Sequence, residues 1–320
     1  MASSIRKTAA ILGGAAALGA LSLYLPYRIA FRSPQKGQND IYRLPPGEQY
    51  EPRAEEMRGM IRRMAAEPCE RVSITSRDGL KLRGRLYLRG GPEAPVDLCF
   101  HGWRATGLRD FSGGGLFLLG EGHNVLLVDQ RAQGDSEGKT MTFGVLERWD
   151  CLDWLAYIQT RPELRGPVTL YGVSMGAVTV LLASALPLPG NVRCIIADSP
   201  YSSPEAILEK VSRDMGLPGK PAMAALRFGA ALFGGFSFDG ASCMEAVKHT
   251  RVPILLIHGE EDRFVPLEMS REIAAANPEK VRLVAFPGAG HGLSYLTDTE
   301  RYRYEVSEFC RRTQKTDSAS

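Results

Sequence analysis

Six short apolar runs set the tightest limit on what this chain can fold into. "VDLCF", "NVLLVD", "PVTLYG", "VRCIIAD", "PILLIHG" and "VRLVAF" each have the length of a β-strand, and most are separated by stretches of helical character such as "VLERWDCLDWLAYIQ", "AVTVLLASAL" and "PLEMSREIAAA", with "ERYRYEVSEFCRR" after the last. Strands that are apolar throughout must be covered on both faces, and parallel strands need a crossover to bring the chain back to the same end. The alternation therefore predicts an α/β fold with a mostly parallel central sheet and helices on both faces. Ahead of it, "ERVSITS" and "LKLRGRLYL" alternate about a turn at Arg77, Asp78 and Gly79, the pattern of an antiparallel hairpin.

Two stretches break this rhythm. About fifty residues separate "IIADSP" from "VPILLIHG", too many for a simple crossover. Their centre, "GLPGKPAMAALRFGAALFGGFSF", reads as a small cap at about 200–250, between the strands ending at Asp198 and His258. Its apolar face either lines a pocket for a hydrophobic substrate or packs on the domain beneath. At the N-terminus, Thr8 to Tyr27 carries no charge and is flanked by Arg6 and Lys7 on one side and Arg28, Arg32 and Lys36 on the other. As a helix it would cross a bilayer once, so residues 1–32 are expected to hold a single-pass transmembrane anchor, with a cleaved signal peptide as the rival reading. The flanking basic residues nearly balance; their slight excess after the run, with the scattered cysteines, leans toward a cytoplasmic domain on a membrane. Residues 33–67, rich in Pro, Arg and Glu, read as a connector and a juxtamembrane helix with a solvated charged face. The catalytic-type domain is then 68–312, and 313–320 a disordered tail.

Composition narrows the function classes. The 320 residues are 44% hydrophobic with a net charge of +3. That suffices for one large α/β domain and is too mild for a nucleic-acid partner, and no basic stripe interleaved with aromatics appears. Cys69, Cys99, Cys151, Cys194, Cys243 and Cys310 form neither a C-x-x-C pair nor a Cys/His cluster at metal-ligand spacing, so they read as buried thiols.

Two segments fit G-x-S-x-G: "GVSMG", Gly172 to Gly176, and "GDSEG", Gly134 to Gly138. A nucleophilic serine has to be lifted out of the fold on a strained turn, between a strand and a helix whose N-terminus supplies backbone donors. Ser174 has that setting, with "PVTLY" before it and "AVTVLLASAL" after it. Ser136 does not: three residues separate its motif from a strand, and no helix follows. The acid and the histidine are expected downstream, each after a later strand. Of His249, His258 and His291, only His291, in "PGAGHG", lies in a loop directly after a strand, which makes it the candidate base. Asp262, in "HGEEDRFVP", is the candidate acid; Glu260 and Glu261 beside it are in poorer register, and Asp198 is the alternative placement.

These motifs together resemble the α/β-hydrolase superfamily, over roughly residues 70 to 312, in "FHGW", "DQRAQGDSEG", "YGVSMGA", "IHGEEDRFVP" and "GAGHG". More narrowly, the chain is similar to the serine-aminopeptidase-like branch, including bacterial members with an N-terminal membrane anchor. The resemblance implies an oxyanion hole made by the backbone N–H groups of Trp103 and Met175, with His101 and Gly102 shaping the loop. It also explains "GDSEG" as part of a D-x-R-G-x-G-x-S segment in which Ala132 stands where glycine is common. The function it implies is hydrolysis through an acyl-enzyme, without metal or organic cofactor, on an ester or thioester of a hydrophobic small-molecule acyl substrate. A serine aminopeptidase or amidase is the alternative, and an inactive membrane-anchored binding protein on a hydrolase scaffold is the alternative of another class.

Overall fold

The computed structural model describes residues 22–33 and 41–315. The strands are β1 (Glu70–Thr75), β2 (Lys81–Tyr87), β3 (Val96–Phe100), β4 (Asn124–Asp129), β5 (Val168–Val173), β6 (Val192–Asp198), β7 (Ile254–Gly259) and β8 (Val281–Phe286). They form one sheet in the order β1-β2-β4-β3-β5-β6-β7-β8. β1 and β2 are the expected hairpin, β2 also runs antiparallel to β4, and the remaining pairings are parallel.

The central strands lack polar alternation because both of their faces are covered. Leu98 and Phe100 of β3, with Leu126 and Val128 of β4, point into one apolar layer, closed by helices Glu147–Gln159 and Met175–Ala183. Cys99, Val125 and Leu127 point into the other, closed by helices Ser112–Gly120 and Thr299–Lys315. The cysteines are free thiols, five of them buried as small hydrophobes.

The N-terminal expectation needs correction. Among the described residues no helix is long and apolar enough to cross a membrane. Residues 8–21 of the uncharged run lie outside the described residues, but its end does not continue as an anchor: residues 22–30 are a helix laid on the domain. Tyr27 is 2% exposed and Phe31 is fully buried, and the Tyr27 hydroxyl lies 2.7 Å from Thr140 Oγ1. The chain then runs beside residues 139–141, with Ser33 N–H donating to Lys139 O and Met141 N–H to Phe31 O. Tyr27 and Phe31 face protein, and the Tyr27 hydroxyl is hydrogen-bonded there, while Leu25 and Ile29 stay about half exposed. The single-pass anchor and the membrane localisation are accordingly not supported.

The insertion between β6 and β7 contains helices Pro204–Asp214, Gly219–Gly229 and Cys243–Lys248. Its apolar face is occupied by the same N-terminal segment: Phe31 packs on Phe236 and Phe238 with ring centroids 5.3 and 5.9 Å away, and Tyr24 meets Phe233 edge-on at 5.2 Å.

Candidate active site

β5 delivers Ser174 to a turn that no other residue of "GVSMG" shares. Its φ of 54° and ψ of −115° are costly for a residue with a Cβ, about 1–3 kcal/mol. The turn is held by Ser174 N–H donating to Asp198 O at 2.8 Å and by helix Met175–Ala183, which starts at the next residue. The flanking glycines are required by proximity: a Cβ on Gly172 would collide with the Gly176 carbonyl, and one on Gly176 with the Phe100 carbonyl of β3.

Ser174, His291 and Asp262 form a continuous hydrogen-bonded row, although 117 positions separate the first two. His291 Nε2 is 2.9 Å from Ser174 Oγ, and His291 Nδ1 is 2.6 Å from Asp262 Oδ2. An ionised carboxylate only accepts, so the proton sits on Nδ1 and the lone pair of Nε2 faces the serine hydroxyl. Asp262 is nearly buried. Burial alone would raise its pKa, but hydrogen bonds from His258 and His291 and from the Val265 N–H outweigh that and hold it well below the usual carboxylate range.

His258, set aside as the base because it lies inside the run "ILLIHG", joins this row from behind. It is fully buried, its Nε2 lies 2.8 Å from Val265 O and 3.3 Å from Asp262 Oδ2, and its Nδ1 lies 2.7 Å from Ser270 Oγ. The Val265 carbonyl can only accept, so Nε2 carries the proton and the ring supports the acid. The place of His258 inside the apolar run of β7 carried no sequence signal of this role. The alternative acid, Asp198, is engaged elsewhere: it accepts from Ser199 Oγ at 2.9 Å and from the Tyr302 hydroxyl at 3.2 Å. Glu260 and Glu261 are exposed.

The loop after β3 lies against the serine, and a Cβ on Gly102 would sit 3.4 Å from that of Ser174. His101 is fully buried. Its Nε2 accepts from Gln130 N–H at 3.0 Å, which places the proton on Nδ1, donating to Gly102 O at 2.7 Å. Burial lowers its pKa and keeps it neutral, so it shapes the loop. Gly102 N–H is taken by Asp110 Oδ2 at 2.8 Å, which leaves Trp103 N–H as the next donor along the loop. Met175 is the first residue of its helix, where an N–H has no intrahelical acceptor.

Ser136 sits apart from any such row. Its hydroxyl donates to Asp129 O at 2.5 Å and accepts from Arg83 N–H at 2.8 Å, tying its loop to β2 and β4. Ala132 adopts a φ of 64°, the left-handed conformation that glycine takes without cost.

Ser174 and His291 open into a cavity of about 410 Å³. Its roof comes from the stretch read as a solvated connector: Leu44, Pro45, Tyr50, Met57 and Met60 line it, and no residue of the insertion does. Tyr50 and Gln49 also grip the histidine itself. The Tyr50 hydroxyl donates to His291 O at 3.0 Å, and His291 N–H donates to Gln49 Oε1 at 3.2 Å. Phe264 covers the imidazole edge-on, with ring centroids 5.1 Å apart.

Known proteins share this architecture. A Pyrococcus furiosus esterase, Pf2001, superposes with a TM-score of 0.65 at 24% identity, covering 78% of this chain and 93% of its own. A bifunctional esterase/perhydrolase of Acinetobacter calcoaceticus is 25% identical over 280 residues, 74% of this chain and 99% of its own length. The uncharacterized protein YqkD of Bacillus subtilis is 28% identical over 189 residues, 59% of this chain; the match spans 62% of that relative, less than two thirds of it. The sequence profile of the alpha/beta hydrolase family matches residues 98–303, which include the end of β3, the serine elbow, Asp262 and His291, and the chain belongs to that family.

Proposed function

We propose that the protein is a serine hydrolase that cleaves carboxylic esters of small apolar acyl substrates through an acyl-enzyme. The observation that carries this reading is the row Ser174, His291 and Asp262, whose first two members line the cavity. His291 Nε2 takes the Ser174 proton as the oxygen attacks the ester carbonyl, and Asp262 stabilises the imidazolium that forms. The oxyanion rests on the N–H groups of Trp103 and Met175, each such donor being worth about 3 kcal/mol. His291 then returns the proton to the leaving alcohol, and water repeats the cycle to free the acid.

Support for an ester comes from the names borne by the Acinetobacter and Pyrococcus relatives and from the cavity wall. An aminopeptidase of the branch the sequence resembles needs a carboxylate to hold the substrate amine. The only carboxylate lining the cavity among the described residues is Asp110, which is already committed to Arg109 Nε at 2.9 Å and to Gly102 N–H.

The test is labelling of the full chain with a fluorophosphonate, followed by turnover of nitrophenyl esters and aminoacyl anilides. We expect labelling that is lost in Ser174→Ala and kept in Ser136→Ala, and ester turnover well above anilide turnover. A folded native chain that does not label would make it a binding protein on a hydrolase scaffold, and faster anilide turnover would make it a peptidase.

A further inference from the structure

We propose that Gly114 sets the length of the acyl group this cavity admits, and that this group is an unbranched apolar chain lying between helix Ser112–Gly120 and helix Ala54–Ala66. The proposal rests on the esterase reading and deepens it.

Helix Ser112–Gly120 opens with three glycines in succession, at positions 113 to 115. Two of them are explained by packing. A Cβ on Gly113 would lie 2.7 Å from Tyr295 Cε1 and 3.0 Å from Met60 Sδ, and one on Gly115 would lie 3.0 Å from Met64 Cε, so both let helix Ala54–Ala66 come close. Gly114 has no such reason. A Cβ there would meet nothing within 4 Å, and its φ is not positive, so neither a neighbour nor the backbone calls for glycine. A glycine inside a helix lowers stability relative to alanine. Gly114 lines the cavity that holds Ser174 and His291, as Gly113 does, but of the two only Gly114 has free space where its side chain would be. The missing side chain is therefore room left for a ligand.

The surrounding wall says which part of a substrate fills that room. Met57, Met60, Phe111 and Leu296 line the same cavity. Thioether side chains adapt to a flexible apolar chain. Of the charged residues lining the cavity, Arg109 and Asp110 pair with each other at 2.9 Å, and Arg104 lies over the Trp103 ring and donates to Ile29 O, with Arg43 the remaining cation. At about 410 Å³ the cavity is near the lower end of small-molecule sites, which suits one acyl chain and not a bulky lipid.

The experiment measures kcat/KM of the full chain on nitrophenyl esters from acetyl to dodecanoyl, with Gly114→Ala and Gly114→Leu beside the native sequence. Burial of one methylene is worth about a 4-fold change in affinity. Gly114→Leu, closing the space of two or more methylenes, should lower the octanoyl-to-acetyl ratio at least tenfold. Gly114→Ala should shift the ratio in the same direction by less, while its melting temperature rises by about 1–2 °C through the better helix former. Because that variant gains stability, its narrower range cannot be attributed to misfolding. Met60→Ala, on the adjoining wall, should move the optimum toward longer chains. Both Gly114 variants labelling at Ser174 with a small-alkyl fluorophosphonate but showing the native chain-length profile would overturn this proposal alone. Failure of the native chain to label would overturn the esterase reading and this proposal with it.

Discussion

Both main-chain polar groups of His291 are held by two consecutive residues, Tyr50 and Gln49, 241 and 242 positions away. Tyr50 is 8% exposed, its hydroxyl donates to His291 O, and burial together with the nearby Asp262 and Asp110 charges raises its pKa, so it remains a neutral donor. Tyr50→Phe keeps the ring and removes that single bond. A hydrogen bond of this kind contributes about 1 kcal/mol. If it only stabilised the fold, unfolding in urea would report the loss and kcat would not change. If it positions the imidazole against Ser174, kcat falls about 3–10-fold with KM within about 2-fold, which is the expected result in steady-state kinetics on a short ester. The three members of the hydrogen-bonded row were legible from sequence, because Ser174, Asp262 and His291 each follow a recognisable strand. Gln49 and Tyr50 were not, since a bond across 241 positions leaves no spacing to read.

The same contrast holds for whole elements. Every apolar run assigned as a strand is one, because a strand covered on both faces cannot hide its composition. The segment before β1 holds the short helix its sequence predicts, Ala54–Ala66, but its part in the cavity wall was not legible. "AEEMRGMIRRMAA" shows its charges to anyone reading the sequence, while the few apolar residues that matter, Met57, Met60 and Met64, are outnumbered. Residues 22–33 were misjudged because an aromatic stretch looks the same whether it meets lipid or protein. In the fold, the end of helix 22–30 is tied to the loop after β3: Trp103 Nε1 donates to Ala30 O at 3.1 Å and Arg104 Nη2 to Ile29 O at 2.8 Å. A cation and an indole N–H at a helix C-terminus satisfy carbonyls that the helix itself leaves open. The segment is anchored by Phe31, fully buried among Phe143, Phe236 and Phe238. Phe31→Ala should cost about 3–5 kcal/mol in denaturant unfolding. Loosening the partner of Trp103 should also lower esterase kcat more than it raises KM. A loss below about 1 kcal/mol would mean that the segment merely lies on the surface.

Across the whole molecule, buried titratable groups around the site act in opposite pH senses. Asp262 has a depressed folded pKa, so its contribution is present above the unfolded carboxylate range and is lost as pH falls through the folded value. His101 is depressed by burial, so its contribution is complete above about 6.5 and is lost as pH falls further. Asp198 has the reverse sense. Burial raises it to about 6, and the hydrogen bonds from Ser199 and Tyr302 and the neighbouring His258 and His291 only partly offset that. A raised carboxyl favours the fold while protonated, so its contribution is present below about 4 and is lost as pH rises through 6. Between pH 4.5 and 7, His101 and Asp198 therefore oppose each other, and the native sequence should show a flatter stability profile than either group alone would produce. Asp198→Asn separates them. The amide retains an acceptor for Ser199 Oγ or the Tyr302 hydroxyl but cannot ionise, so any lost hydrogen bond is an offset independent of pH. The variant should gain about 1–2 kcal/mol relative to the native sequence between pH 4.5 and pH 8 in urea unfolding, leaving the fall toward acid set by His101 and Asp262. The same difference at both pH values would mean that the sheet end beneath Ser174 carries an ordinary ionised carboxylate, and the flat profile would then need another cause.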